Sequence, residues 1–409
     1  MIKYIFIALV AIFMFGCGGG NRNFEEDSVV IKDGKLISNN SKKELNEKLL
    51  QYGVVDGVKY GLKSYKISYD TRDINGKMVK ASGVVIVPIL DKSKESDLIR
   101  ANGFAVTLDC HGTIFANSNA PSVSIENRKL PYGAELVYSA LHGFITIMPD
   151  YLGYGDSVDS IHPYLLKNPT RGNIADFTKK AFEFLRENDI NISPNEELYL
   201  SGYSEGGYVA LASVKTIEQA GFNLQMSVPM AGPYLLEPFG QAVMDLNYID
   251  FPSFVAFFLY SYAQKYHYNI ANMLQEPYAK KIDSLFNKEN TREQIDAQLT
   301  TKVKGSNGLL VQNFVNDYKT SDFRLKLIKN SILEVNARTP IKLMHCVGDD
   351  VVPYEIAKSE KSILKLFNSV ELITIDSDNN RLNHIDCAYK AYLKAGVIFK
   401  ESREKMLGY

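Results

Sequence analysis

The chain has 409 residues, and its 46 Lys and Arg against 47 Asp and Glu give a formal net charge of −1. This balance excludes both a strongly basic nucleic-acid-binding protein and a polyacidic tail. With 45% hydrophobic residues the chain can bury a large core. Only four Cys occur, which excludes a disulfide-dense scaffold and a zinc module built from four neighbouring cysteines. The length is typical of two to three domains or of one large α/β domain with an insertion.

The first residues have the pattern of an export signal. A lysine precedes an uninterrupted apolar run over 4–15, which is too short to cross a bilayer as a mature helix. The run ends just before Cys17 and a glycine-rich stretch, and it resembles a bacterial lipoprotein signal, although Phe15 stands where a small residue is usual. An ordinary secretory signal with an incidental Cys is the alternative. We predict a signal peptide over 1–16, lipidation of Cys17 in the bacterial cell envelope, and a tether and N-terminal extension over 17–63.

Short apolar runs alternate with helical stretches along most of the remaining chain. In the clearest helical stretch, Ile174, Phe177 and Ala181 recur at helical spacing. Strand and helix alternation over about 300 residues predicts the α/β class, with a mostly parallel sheet covered on both faces. The predicted strands are 84–88, 104–108, 144–148, 198–200, 226–230, 341–344 and 370–375.

The alternation stops between 235 and 323. Almost no strand signal occurs there, and an aromatic-rich segment over 251–266 is followed by a polar helical pattern. We therefore predict a helical cap over 235–323, inserted between two parts of an α/β core over 64–234 and 324–409.

Gly202, Ser204 and Gly206 form a Gly-x-Ser-x-Gly motif. A predicted strand precedes it and a helical pattern over 208–220 follows it. A strand that turns sharply into a helix strains its apical residue and projects the Ser hydroxyl above the sheet. A glycine-rich turn with an ordinary Ser is the alternative, but the strand and helix context favours a nucleophile at Ser204.

An acyl-transfer site also needs two N–H donors for the developing oxyanion. One candidate is the backbone N–H of Glu205, directly after the predicted nucleophile. The other is the N–H of Thr113, in a His-Gly-Thr turn that follows the strand over 104–108. A Cys110–His111 dyad is disfavoured, because adjacent residues at a strand end point to opposite sides.

The acid and the base come from the C-terminal third. Asp349 and Asp350 follow the strand over 341–344, and we prefer Asp349 because it lies three residues before the Val-Pro pair that opens the next helix. Among six His, only His384 follows both Ser204 and the acid, in the order Ser, Asp, His that this sheet topology requires.

One intrachain disulfide is possible among the three cysteines that follow Cys17. Cys346 and Cys387 flank the predicted acid and base and could pair. The sequence leaves this pairing open, together with the oligomeric state.

Several stretches together resemble the α/β-hydrolases and, more narrowly, their secretory lipase family. The resemblance covers roughly residues 64–235 and 325–400. It implies hydrolysis of carboxylic esters without metal or other cofactor. Glu205 departs from the family pattern, where a neutral residue is commoner, and so does Cys346, where Gly is usual. The matching stretches are 80–85, 111–113, 149–155, 162–165, 202–207 and 231–234.

The sequence thus predicts a serine esterase or lipase with Ser204 as nucleophile, His384 as base, Asp349 as acid, and an oxyanion hole from Thr113 and Glu205. Its expected partners are a small ester and, through the lipid anchor, a membrane, with no nucleic acid. A serine peptidase of the same fold and a non-catalytic surface-binding module are the rivals. A complete triad argues against the binding module, because a pseudoenzyme is free to lose one member.

The cap is expected to set the substrate size. Phe257 and Phe258 belong to the aromatic segment, which should lie over the carboxyl edge of the sheet above Ser204. They either line an acyl pocket or only pack the cap onto the core. The polar stretch over 280–290 argues against a wide lipid-facing opening, so short- to medium-chain esters are the expected substrates.

Overall fold

This computed structural model describes residues 31–50, 57–130, 133–366 and 368–408. The predicted signal peptide and the lipidation site at Cys17 lie outside these residues. None of the helices within the described ranges is both long enough and apolar enough to cross a bilayer.

A single sheet runs through the described part of the chain. Its strands are β1 (Gly34–Asn40), β2 (Gly61–Arg72), β3 (Met78–Ile89), β4 (Val106–Cys110), β5 (Ile145–Pro149), β6 (Glu197–Tyr203), β7 (Asn223–Met230), β8 (Ile341–His345) and β9 (Val370–Thr374). They lie in the order β1-β2-β3-β5-β4-β6-β7-β8-β9. Pairing is antiparallel from β1 to β5 along this order and parallel from β5 to β9. The predicted α/β class with a mostly parallel sheet is confirmed.

The central strands are buried on both faces. β4, β5 and β6 are buried along their whole length, as expected for parallel strands with helices on either side. All seven predicted strands are present, whereas β1 and β2 were not predicted. These two strands lie towards one edge of the sheet, and polar and charged residues interrupt their apolar pattern.

Helices cover the sheet on both faces. They are α1 (Lys42–Leu50), α2 (Lys94–Asn102), α3 (Pro121–Arg128), α4 (Lys167–Glu187), α5 (Glu205–Gln219), α6 (Leu236–Asp245), α7 (Pro252–Tyr266), α8 (Tyr278–Leu285), α9 (Arg292–Asp296), α10 (Gln312–Asp317), α11 (Asp322–Asn330), α12 (Tyr354–Leu364) and α13 (His384–Leu407). Alternate residues of β6 show the two layers. Leu198 and Leu200 belong to the core cluster of α4 and α5, whereas the Tyr199 ring lies 5.0 Å from Phe399 of α13.

The polypeptide between β7 and β8 is helical. Helices α6 to α11 fill it, and the described residues add no strand to the sheet there, only isolated bridges such as Tyr248 with Lys302. Aromatic rings join this insertion to the core. Phe257 of α7, for example, lies 5.2 Å from Phe115 and 4.9 Å from Tyr164.

Candidate active site

The predicted site residues meet at the carboxyl edge of the parallel strands. β4, β6 and β8 end at Cys110, Tyr203 and His345, and the segments that follow carry Thr113, Ser204 and Asp349 respectively. Because β4 and β6 pair in register, with Cys110 opposite Gly202, the first two segments begin side by side. This edge is where open α/β sheets bind their ligands.

Ser204 lies at the apex of the turn between β6 and α5. Its φ of 60° and ψ of −121° place a non-glycine residue in a region that costs free energy to maintain. A Cβ on Gly202 would overlap the carbonyl oxygen of Gly206, and a Cβ on Gly206 would overlap that of Cys110. The two glycines of the motif are therefore required by close backbone packing, which holds Ser204 at the apex.

Asp349 and His384 contact each other directly. His384 Nδ1 lies 2.7 Å from Asp349 Oδ2. The other carboxylate oxygen accepts the backbone N–H groups of Val351 at 3.0 Å and Val352 at 2.8 Å, so the carboxylate is held from both sides. Asp350 instead accepts the backbone N–H of His384 at 2.9 Å. The two adjacent carboxylates therefore contact different parts of the same histidine.

A second histidine contacts the same acid. Nε2 of His345 lies 2.8 Å from the carbonyl oxygen of Val352 and 3.2 Å from Asp349 Oδ2, so it donates towards both. Burial alone would raise the pKa of Asp349, but hydrogen bonds from His345 and His384 outweigh burial and hold this pKa well below its usual range. From the sequence, His345 was predicted only to end a strand. The spacing of four residues between His345 and Asp349 was the feature of the sequence that could have indicated this contact.

Two further links join the loop that carries Asp349 to the segment at the start of α13, where His384 lies. Cys346 and Cys387 form a disulfide, three residues before Asp349 and three residues after His384. The second link is Asp376, which sequence analysis missed although it follows β9 at the same sheet edge. Its carboxylate accepts N–H groups from Val347 at 2.6 Å, Gly348 at 2.9 Å and Leu382 at 3.0 Å.

Among the described residues, the hydrogen bonds of His384 involve Tyr203, Asp349 and Asp350, and none joins its Nε2 to Ser204 Oγ. The His384 backbone is fixed nearby, because Tyr203 Oη donates to its carbonyl oxygen at 2.6 Å. Catalytic hydrogen bonds of this kind are often long before a substrate binds.

The loop after β4 approaches the Ser204 turn. A Cβ on Gly112 would lie 3.9 Å from the Cβ of Ser204. His111 Nδ1 lies 2.7 Å from the carbonyl oxygen of Gly112, and burial lowers the pKa of His111. Anchoring this carbonyl also orients the Thr113 N–H, which belongs to the same peptide unit and points the opposite way. Within the described ranges, neither this N–H nor that of Glu205 has a backbone acceptor.

A buried ionisable pair lies beside Ser204, and the sequence did not predict the partner of Glu205 in it. Glu205 Oε1 is 2.6 Å from His162 Nε2, and the two side chains are 2% and 3% exposed. His162 Nδ1 lies 2.9 Å from the carbonyl oxygen of Leu152. The sequence assigned His162 only to a His-Pro turn, and the separation of 43 residues hid the contact.

A narrow apolar cavity of about 70 Å³ opens beside Ser204. Phe258 forms part of its wall, but Phe257 does not. The Phe257 ring instead packs 4.8 Å from Phe286, because consecutive helical residues point about 100° apart. Of the two alternatives stated for these rings, Phe258 therefore fits the lining of the cavity and Phe257 fits packing of the cap onto the core. The cap residues in the wall include Phe239, Val243, Met244, Phe254, Val255 and Leu259.

A second cavity lies apart from this site. A depression of about 380 Å³ in the cap is lined by Tyr260, His267 and Asp283, among others, and by none of the predicted site residues. Within the described part of the chain, no three His, Cys, Asp or Glu side chains are grouped as a metal site would require.

No protein-family model and no curated protein matches the chain, but solved structures do. A candidate hydrolase of Legionella pneumophila shares 24% identity at a TM-score of 0.74, over 91% of this chain and 97% of that one. The rice cell wall degrading esterase LipA from Xanthomonas oryzae shares 21% at a TM-score of 0.74, over 90% and 95%. The chain has the α/β-hydrolase fold. Candida antarctica lipase A in its closed state matches the same fold at 10% identity and a TM-score of 0.65, over 92% and 82%.

Proposed function

We propose that this α/β-hydrolase is a serine carboxylic-ester hydrolase, an esterase or lipase related to the secretory lipases. The observation that carries the proposal is the strained Ser204 at the sheet edge that also holds the Asp349–His384 pair. Structural likeness to an esterase and to a lipase supports the same class of reaction.

In the proposed reaction, Ser204 Oγ attacks the ester carbonyl carbon. Asp349 accepts the Nδ1–H of His384, so the lone pair of Nε2 is free to take the serine proton and return it to the leaving alcohol. Water activated by the same histidine then releases the acid from the acyl-enzyme. The N–H groups of Thr113 and Glu205 stabilise the oxyanion of both tetrahedral intermediates.

The cavity supports a short- to medium-chain acyl group as the substrate. Its volume of about 70 Å³ is small compared with the roughly 300–1,000 Å³ of pockets for drug-sized ligands. Its apolar wall would bind methylene groups, each contributing up to about 0.8 kcal/mol.

The proposal is tested with acyl esters of increasing chain length and a fluorophosphonate probe. Ser204→Ala should abolish both hydrolysis and labelling while circular dichroism shows an unchanged fold. Ser213→Ala is the matched control, because Ser213 lies buried in α5 and its hydroxyl has no partner among the described residues. Hydrolysis or labelling that persists in Ser204→Ala would refute the proposed nucleophile.

We also propose that the enzyme is exported and held in the bacterial cell envelope by lipid on Cys17. The apolar run before this Cys and the glycine-rich stretch after it support the proposal. Stable anchoring needs more than one acyl chain, at about 0.8 kcal/mol per buried methylene. Cys17→Ser should move the protein from the membrane fraction to the soluble or unprocessed fraction. Identical fractionation of the two proteins would favour an ordinary secretory signal.

A further inference from the structure

We propose that Glu205 and His162 share one proton, and that His162 thereby keeps net negative charge away from the oxyanion hole. His162 is in this sense a positioning residue for the reaction, and the inference rests on the proposed function. The shared proton explains how the Glu205 carboxylate is tolerated next to the proposed nucleophile Ser204.

The two hydrogen-bond contacts of the His162 ring can both form only if His162 and Glu205 share a proton. The Leu152 carbonyl can only accept, so His162 Nδ1, at 2.9 Å from it, carries a hydrogen. In a neutral ring this leaves Nε2 as an acceptor, and an ionised carboxylate is also only an acceptor. Two acceptors do not approach to the observed 2.6 Å without a proton between them. Whichever atom binds that proton, the pair as a whole has no net charge.

The surroundings make that neutrality important. The His162 ring is stacked 5.7 Å from Phe257 and lies 5.1 Å from Tyr154. Both side chains of the pair are almost fully buried, so solvent screens their charges weakly. Glu205 Oε2 is buried without a hydrogen-bond partner within the described residues. Lys288, which lies 4.5 Å over the Tyr154 ring, interacts electrostatically with Glu205 but forms no ion pair with it. The His162 proton is therefore the direct compensation for the Glu205 charge.

An uncompensated charge here would act on the reaction itself. Glu205 is the first residue of α5, and its own N–H is one of the two proposed oxyanion donors. A carboxylate on the same residue, in a medium of low dielectric, would repel the oxyanion more than the uncharged ester. Losing His162 should thus lower kcat and leave KM nearly unchanged.

The test compares the parent, Glu205→Gln, His162→Ala and the double variant at one pH near 8. Glu205→Gln is the reference for the double variant, because the amide donates to His162 Nε2 without adding charge. His162→Ala should lose about a hundredfold in kcat, and the double variant should recover at least about tenfold of that loss. A double variant no better than His162→Ala, or a Glu205→Gln variant as damaged as His162→Ala, would overturn the proposal.

Urea unfolding of the same four proteins separates this inference from the proposed function. His162→Ala should destabilise the protein less when residue 205 is Gln, since no charge is then left unpaired. His142→Ala is the matched control. It is a partly buried histidine beside Gly396 of α13, and it should show no such coupling. If none of the four proteins hydrolyses esters but residues 162 and 205 are coupled in stability, the shared proton is supported and the proposed function is rejected. Absence of the coupling rejects the shared proton, and absence of the kinetic rescue alone rejects its effect on the oxyanion hole.

Discussion

Two adjacent carboxylates of the loop after β8 contact His384 in different ways. Asp349 binds the ring, whereas Asp350 binds the backbone N–H. An amide at position 349 would keep one oxygen for the N–H groups of Val351 and Val352. It would then present an NH₂ group to the His384 ring, which disfavours the tautomer that the proposed reaction needs.

We therefore expect Asp349→Asn to lower kcat by about four orders of magnitude. Asp350→Asn should be mild, because an Asn oxygen still accepts the backbone N–H of His384. The measurement is kcat for one ester with both variants at equal folded fraction. The opposite ranking would assign the acid to Asp350.

At the scale of single elements, the disulfide holds the loop after β8 against the first turn of α13. It closes a loop with a sequence separation of 41 residues, so its loss increases the conformational freedom of the unfolded chain. Asp376 and the Asp349–His384 contact join the same segments without covalent bonds.

Replacing both Cys346 and Cys387 by Ala should lower the free energy of unfolding by about 2–4 kcal/mol. Activity of the folded fraction should fall less, since the non-covalent links remain. Denaturant unfolding with and without a thiol reductant measures the effect. The parent and a Cys110→Ala control should lose stability in reductant, and the double variant should not. A double variant as stable as the parent would contradict this.

Helix α7 has one face towards the apolar cavity beside Ser204 and another towards the core. Phe258→Ala should enlarge the cavity and shift the preferred acyl chain towards longer esters. Phe257→Ala should instead cost about 3–5 kcal/mol of stability and leave the chain-length profile unchanged. The kcat/KM series over acyl length, together with urea unfolding, checks both. An unchanged profile in stable Phe258→Ala would assign this ring to packing alone.

At the scale of the whole molecule, a buried acid makes stability depend on pH. Glu360 of α12 is buried with both carboxylate oxygens unpartnered among the described residues. Burial raises the pKa of Glu360 to about 9, with the nearby Lys167 opposing the shift. Unfolded Glu titrates near about 4.3, so at intermediate pH the folded protein binds one more proton than the unfolded chain. This group therefore destabilises the fold increasingly as pH rises from about 4 to about 9.

Glu360→Gln should remove this dependence. Its gain in free energy of unfolding over the parent should be small near about pH 5 and exceed about 1 kcal/mol near about pH 8. Glu355→Gln is the control on the same helix, because Glu355 is exposed and should show a flat difference. A gain that shrinks with rising pH would show that Glu360 is ionised in the folded protein.

The parts of this protein that follow from local patterns were predictable from sequence. Continuous apolar runs indicated the buried strands, and a glycine on either side of Ser204 indicated the turn, since both features depend on residues only a few positions apart. The order Ser204, Asp349, His384 selected three residues that meet at one sheet edge. β1 and β2 were not predicted, because polar and charged residues interrupt their apolar pattern.

Only the tertiary structure decided which distant side chains touch. The contact of His162 with Glu205 spans 43 residues, the Val347–Asp376 bond spans 29, and the Cys346–Cys387 pairing was one open possibility. His345 is close in sequence to Asp349, but its ring direction depends on how β8 enters the loop. Positions 257 and 258 are both Phe, and only the directions of the two side chains differ. Such contacts depend on the folded arrangement of whole elements, because packing and not residue type determines which polar groups share a buried space.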